Sequence, residues 1–432
     1  MVFVLTVGLL TCAAMIGLVF FKPAVSIRGE QINIYWLPPV LGALALILGG
    51  VLSWNEVAAG LTAPTAMNPI KILILFFSMT LISVFLDSIG FFRYLAERLL
   101  GQAKGGQRSL FLTLYITVSV LTVFTSNDII VLTFTPFICY FARHAKIDPI
   151  PYLFCEFIAA NTWSMLLIIG NPTNIYLATG AGVDFFSYIR VMALPTLLAG
   201  GISLGVLLLL FRKKLRQPMA LKSHPARLRN RTLTAIGVGH LGVCILFLVF
   251  SSVLDLPMWL IALTAALSLF ISATLCILLR RQSLVVIKET LKRTPLEMAP
   301  FILSMFVLVL ALNKVGLTAR IAELLAPLPR EWGYGVTSFL SANLMNNIPM
   351  SVLFSGVTAN LGNAAAALYA AVIGSNLGAF FTPIGALAGI MWMQLLRTHK
   401  VNLSFGKFTQ YGAAIAVPAL FAALLGLQIM IK

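Results

Sequence analysis

Apolar runs separated by charged or turn-rich breaks recur along the whole chain, near 1–21, 33–52, 69–90, 150–180, 187–211, 232–253, 258–279, 297–313, 364–396 and 409–431. Such runs suit a hydrocarbon core roughly 30 Å thick, so the pattern predicts about ten transmembrane helices. Two segments, 109–143 and 335–362, break the rhythm. One has the polar centre Thr125-Ser126-Asn127-Asp128 and the other has Asn346-Asn347 followed by Pro349. The apolar arms on either side, of about 14 to 18 residues, are too short for two comfortable crossings. Lipid cannot satisfy a freed N–H or C=O, so a polar turn at that depth must be buried in protein or line a watery cavity. Both segments are therefore expected to be re-entrant hairpins whose tips mark the functional site.

Composition agrees with a polytopic membrane protein: 60% hydrophobic residues, 10% charged and a mean hydropathy of +0.99. A net charge of +17 would suggest nucleic acid in a soluble chain. Here it is read by loop, because Lys and Arg concentrate on the cytoplasmic side. If both hairpins return to the side they left, 24 of the 30 Lys and Arg fall in cytoplasmic loops and six outside. The run from Arg212 to Arg231 has eight basic residues and no acid, as expected of a cytoplasmic linker. Orientation explains it without a lipid-headgroup patch. Residues 1–21 lack a basic leader and precede Lys22, which suits a first span with its N-terminus outside better than a cleaved signal peptide. Cys12, Cys139, Cys155, Cys244 and Cys276 stand singly in apolar runs, indicating buried thiols and neither disulfides nor a zinc site.

The fold class expected is an all-α polytopic membrane protein with two inverted-topology repeats. Each repeat would hold three spans, a hairpin and two more spans, and five crossings invert the second relative to the first. The boundaries are 1–212 for the first repeat, 213–231 for the linker and 232–432 for the second. Spacing supports the division: Asn161 precedes Gly170 by nine positions, and Asn376 precedes Gly385 by nine. Each pair lies in a span interrupted by Gly and Pro, at 170–174 (Gly170, Asn171, Pro172, Thr173, Asn174) and at 376–385 (with Thr382 and Pro383). Proline removes a donor and glycine relaxes the backbone, opening carbonyls and helix ends toward the midplane. Paired broken spans are a sequence pointer to a transporter's binding site.

Several stretches carry a family likeness. They are Ser126-Asn127-Asp128 followed by Leu132-Thr-Phe-Thr-Pro136, Asn346-Asn347-Ile348-Pro349, the run Gly374 to Trp392, and Leu86-Asp87-Ser-Ile-Gly-Phe-Phe92. In this order they resemble the arsenite permeases of the ion transporter superfamily, over nearly the whole chain. The resemblance implies hairpin tips and unwound helices meeting around substrate and coupling ion, with alternation between inward and outward access. Two departures bear on substrate. Asn376 stands where arsenite permeases commonly carry Asp, and Gly170 to Asn174 is more similar to silicic-acid-efflux and general anion-permease relatives. The Ser-Asn-Thr hairpins of the sodium-coupled dicarboxylate branch are not matched.

A carboxylate within a membrane is costly and is usually paired, protonated or ion-bound. Asp128 is the one acid at a hairpin tip, so it is the candidate coupling group, exchanging a proton or sharing Na⁺ with Ser126 and Asn127; capping the second arm is its structural alternative. Asp87 and Glu156 lie near cytoplasmic ends, where structural or interfacial roles are expected. His240, between Gly239 and Gly242, is read as a packing residue. The candidate substrate-binding residues are Thr125, Asn161, Gly170, Asn171, Thr173, Asn174, Asn346, Asn347, Asn376, Thr382 and Gly385. This donor-rich, cation-poor set suits small polyhydroxylated or weakly acidic solutes such as As(OH)₃ or Si(OH)₄, while helix N-termini at the hairpins keep anions open. No catalytic constellation is present in the motifs, so no enzyme is expected, and a channel would lack the paired broken spans.

The expectation is a proton-coupled secondary transporter exporting arsenite or a similar small hydroxide or oxyanion. A sodium- or proton-coupled anion permease, or a Na⁺/H⁺ antiporter of the same superfamily, is the alternative. No cofactor beyond H⁺ or Na⁺ and no metal are called for. Its surroundings are a small solute and the lipid bilayer of a bacterial inner membrane, with both termini outside and 212–231 cytoplasmic. The architecture is compatible with a homodimer.

Overall fold

The computed structural model describes residues 1–21, 24–27, 30–63, 68–101, 106–219, 228, 230–251, 253–362 and 364–431. Much of the basic linker, residues 220–227 and 229, lies outside them. Ten helices occupy the first part of the chain: α1 (Val2–Phe21), α2 (Leu37–Leu48), α3 (Trp54–Thr62), α4 (Pro69–Ser88), α5 (Phe91–Gly101), α6 (Gly106–Phe124), α7 (Asn127–Ala145), α8 (Ile150–Trp163), α9 (Pro172–Gly180) and α10 (Phe185–Leu210). Ten more follow: α11 (Arg231–Val249), α12 (Met258–Leu279), α13 (Val285–Arg293), α14 (Met298–Lys314), α15 (Leu317–Leu325), α16 (Arg330–Met345), α17 (Asn347–Thr358), α18 (Ala365–Gly378), α19 (Leu387–Thr398) and α20 (Phe405–Ile431). The fold is all-helical apart from a short antiparallel ribbon, β1 (Ala24–Ile27) with β2 (Glu30–Asn33), between α1 and α2.

Seven helical segments among the described residues are long and apolar enough to cross a membrane. Each leftover segment of the sequence is a helix, a break and a second helix. The arms of the first, α6 and α7, are 19 residues each, longer than the hydrophobic pattern suggested and about 28 Å at 1.5 Å per residue. They nevertheless return to one end, for the Tyr152 hydroxyl at the start of α8 donates to Gln107 Oε1 at the start of α6, at 2.9 Å. That end also gathers Lys214 with Asp148 at 2.5 Å, Arg143 with the His399 carbonyl, and Arg293 with Asp87.

The second hairpin enters from the opposite end. Gly356, near the close of α17, packs against Asn313 and Thr318, next to the Lys314–Glu56 ion pair. Met1 and Gln428 also lie there, against Arg320 and Trp332. Both termini thus share the end remote from the basic loops.

Four short helices, α3, α5, α13 and α15, each precede or follow a third span, and the span pattern had not resolved them. Their polar faces close the bundle's ends. α3, for instance, begins with a capping box in which Ser53 and Glu56 satisfy each other's backbone donors. The four exposed, unpaired N–H groups of a helix start need such partners, and Asn68 supplies the same service to α4, accepting from Ile70 and Lys71.

Candidate functional site

The broken spans open where an amide can hold a chain that has left the helical path. After α8 the backbone passes through two 3₁₀ turns, Ser164–Leu166 and Ile168–Gly170, before α9, and after α18 through residues 379–386, with one 3₁₀ turn at Pro383–Gly385. The breaks sit a few residues from where sequence placed them, because Thr173 and Asn174 already belong to α9 and Asn376 to α18. Asn171 caps α9, its Oδ1 accepting the Thr173 N–H at 3.1 Å, with Pro172 in the first helical position where no donor is missed. Asn174 Nδ2 holds the first break from within, donating to the carbonyls of Ser164 at 2.8 Å and Leu167 at 3.1 Å. Asn343 does the same for the second, donating to the Gly378 carbonyl at 3.1 Å and accepting from the Thr382 N–H and hydroxyl.

The glycines are steric necessities. A Cβ on Gly170 would lie 2.2 Å from the Ser164 carbonyl oxygen, and one on Gly385 would lie 2.1 Å from that of Gly378. Both breaks thus fold back on themselves at the same relative place.

Asn376 knits the two breaks together. Its Oδ1 accepts from Ser164 Oγ at 2.9 Å and Asn171 Nδ2 at 3.0 Å, while its Nδ2 donates to Asn174 Oδ1 at 2.7 Å. Asn161, its counterpart, accepts instead from Asn127 Nδ2 at the first hairpin tip, at 3.1 Å. At the second tip Asn346 adopts φ 78°, a region costly for a side-chain-bearing residue. Its Nδ2 donates to the Ile384 carbonyl at 3.1 Å, tying the tip to the second break.

One cavity of about 420 Å³ collects these tips and breaks. Four helix N-termini face it: α7 through Ser126, Asn127 and Asp128, α9 through Asn171 and Pro172, α17 through Asn347, and α19 through Ala386 to Ala388. Each brings roughly half a positive charge from its aligned peptide dipoles. Tyr35 and Thr80 add hydroxyls. Among the described residues the Asp128 carboxylate, in the first turn of α7, has no hydrogen-bond or ion-pair partner and caps no backbone N–H, and Ser126 at the N-cap position makes no side-chain cap bond either. Asn127 Oδ1 is buried with no donor.

Of the predicted residues, Ser126, Asn127, Asp128, Asn171 and Asn347 line the cavity. Asn161, Asn174, Asn346, Asn376, Thr382, Gly170 and Gly385 shape its wall from behind. Thr125 points away, donating to the Leu121 carbonyl, and the Thr173 hydroxyl is buried without a partner.

Three readings sharpen. The sequence around Asp128 is free of cations, yet Lys292 and Arg293, in the last turn of α13, line its cavity. Of the structural and interfacial roles expected for it, Asp87 takes the structural one: its side chain is 8% exposed and accepts from Arg293 on one oxygen and from Thr133 Oγ1, at 2.7 Å, on the other. Glu156 does not snorkel. It is wholly buried, accepting from Thr135 Oγ1 at 3.1 Å and Trp392 Nε1 at 3.4 Å. His240 packs as expected, its ring nitrogens on the Ile236 carbonyl and Ser268 Oγ. Ser164 and Asn343 were missed; their signal was spacing, three residues after Asn161 and three before Asn346, one helical turn each.

Comparison with known proteins places this geometry among transporters. The family model described as "Citrate transporter" matches residues 34–371. The arsenical pump membrane protein of Escherichia coli K12 is 29% identical over 432 residues, covering 93% of this chain and 95% of that one. That of Yersinia enterocolitica is 27% identical, covering 93% and 94%, and a putative one from Bacillus subtilis is 24% identical, covering 86% and 89%. The crystal structure of the Alcanivorax borkumensis YdaH transporter shares the fold, with a TM-score of 0.58 over 99% of this chain at 15% identity.

Proposed function

We propose that this chain, which belongs to the citrate transporter family, exports arsenite as the neutral trihydroxide, or a similar small hydroxide or oxyanion, in exchange for protons at Asp128. The chain is a secondary membrane transporter; solute and coupling ion are the proposal. The observation that carries it is the convergence of four helix N-termini and several amides on one unpaired carboxylate, with both cationic side chains out at the mouth.

Such a site offers hydroxyl oxygens many donors and, of the three acids that line it, Asp87 and Glu297 have partners and Asp128 is the one left to be neutralised. A proton on Asp128 does this when the site is empty or turning. A neutral hydroxide can take its place as donor to the carboxylate, so solute and proton compete for the same oxygens. Competition of that kind is what exchange requires: the carrier reorients with one or the other, seldom with neither. The arsenical names of the relatives in Escherichia coli and Yersinia enterocolitica agree with this solute.

In the membrane, the end holding Arg143, Lys214 and Arg293 is read as cytoplasmic. The two groups of ten helices are read as inverted repeats, since each has the same order of long, short and paired helices and their hairpins enter from opposite ends. The cavity then opens to the cytoplasm, where an exporter loads. A second reading, uptake or release of a di- or tricarboxylate, is favoured by Lys292 and Arg293 at the mouth and by the family's description.

Inverted membrane vesicles with an imposed pH gradient, acid inside, test the proposal. Arsenite accumulation that collapses with the gradient and is lost in a correctly inserted Asp128→Asn variant is the expected result. Citrate movement without arsenite movement would favour the second reading, and full coupling in Asp128→Asn would refute the proton role.

A further inference from the structure

Beyond the binding cavity lies a second one, of about 420 Å³, between the start of α4, the end of α9 and the α11–α12 turn. Lys71, Thr179, Asp184 and Asp255 form its polar wall, and none of them belongs to the site described above. Lys71 stands 16 residues before Asp87 on the same helix, so about 24 Å separate the two mouths.

The cavities share their walls. On α4, Phe76 and Thr80 face the binding cavity while Ile72 and Leu75 face the second. On α9, Pro172 faces the first and Thr179 the second. Beside the binding cavity, and sharing Phe76, Thr80, Ser126 and Pro172 with it, is a void of only about 10 Å³ that Met79, Ser83, Thr125, Ile169 and Ile175 also line, no larger than one water needs. Phe76, Met79 and Ile175 are all buried. On α4 the two spaces meet at Leu75 and Phe76, and on α9 about two turns, from Pro172 to Thr179, part them; Phe76, Met79 and Ile175 put apolar side chains into that stretch, and an apolar constriction is a barrier to hydrated solutes.

We infer that Phe76 and Met79 of α4 against Ile175 of α9 form the gate of one translocation path, and that the second cavity is its vestibule on the opposite membrane face. The inference rests on the transporter reading but not on any solute. Opening requires α9, with the hairpin tip beside it, to move relative to α4.

The test labels single cysteines, Thr80→Cys in the binding cavity and Thr179→Cys in the vestibule, with a charged maleimide that does not cross membranes. It is applied to right-side-out and to inverted vesicles, with the parent chain as the blank for its own five cysteines. The readout is the ratio of initial rates from the two faces. The two positions should favour opposite faces, and adding Phe76→Ala to Thr80→Cys should bring its ratio toward one; Met79→Ala serves where Phe76→Ala fails to fold. Cysteines at 80 and 179 that favour the same face would overturn the path. A ratio unchanged in folded Phe76→Ala and Met79→Ala variants, or already near one in the parent background, would overturn the gate. No solute enters the assay, so a failure of arsenite transport would leave these results to stand alone.

Discussion

Truncating Asn376 to alanine should loosen the seam between the two breaks more than any ordinary polar substitution in this chain. The side chain is fully buried and makes four hydrogen bonds: it accepts from Ser164 and Asn171 and donates to Asn174 and to the Val372 carbonyl. Two losses are harmless. Ser164 Oγ keeps its bond to the Asn161 carbonyl at 2.9 Å, and Val372 keeps its partner in the helix ladder. Two are not, for Asn171 Nδ2 and Asn174 Oδ1 are left buried without partners, at about 1–3 kcal/mol each. The sum, about 2–6 kcal/mol, exceeds the roughly 1 kcal/mol of a typical substitution. Denaturant unfolding in lipid micelles, followed by tryptophan fluorescence, measures it. Asn360→Ala is the control, being an exposed amide that bonds only within its own helix end. If Asn376→Ala unfolds within about 0.5 kcal/mol of the parent, as expected of an uninvolved surface position, the amide network does not hold the seam.

The two break glycines should behave as a pair: Gly170→Ala and Gly385→Ala each drive a methyl into a backbone carbonyl, and both should lose transport while remaining inserted, which vesicle flux with membrane-fraction blotting checks. Arg293→Met should strand the nearly buried Asp87 carboxylate and destabilise by about 1–3 kcal/mol, whereas adding Asp87→Asn should recover most of that loss; a double-mutant cycle on unfolding free energies reads the coupling. Glu156→Gln keeps an acceptor for Thr135 and Trp392, so it should leave stability and the pH profile of transport nearly unchanged, while Glu156→Leu orphans the Thr135 hydroxyl and should cost about 1–3 kcal/mol. A pH profile altered by Glu156→Gln would make Glu156 a candidate proton-carrying group beside the one proposed at Asp128.

Local chemistry made much of this molecule readable in one dimension. A run of twenty apolar residues has few alternatives to crossing a bilayer. Ser126 to Asp128, Asn346 to Pro349, and the Gly and Pro residues near 170 and 385 sit in such runs only where the chain must bend into protein or water. The interruptions of the helices at these places were legible for that reason. Tertiary structure alone decided which buried groups meet. Asn376 finds Ser164 across 212 positions and Arg293 finds Asp87 across 206; no property of either residue names its partner, because the pairing is set by how whole helices pack. The same cause chose between the structural and interfacial roles open to Glu156. Its distance from a loop suggested water within reach, but the helices around it close over the carboxylate, and Thr135 and Trp392 take the place of solvent.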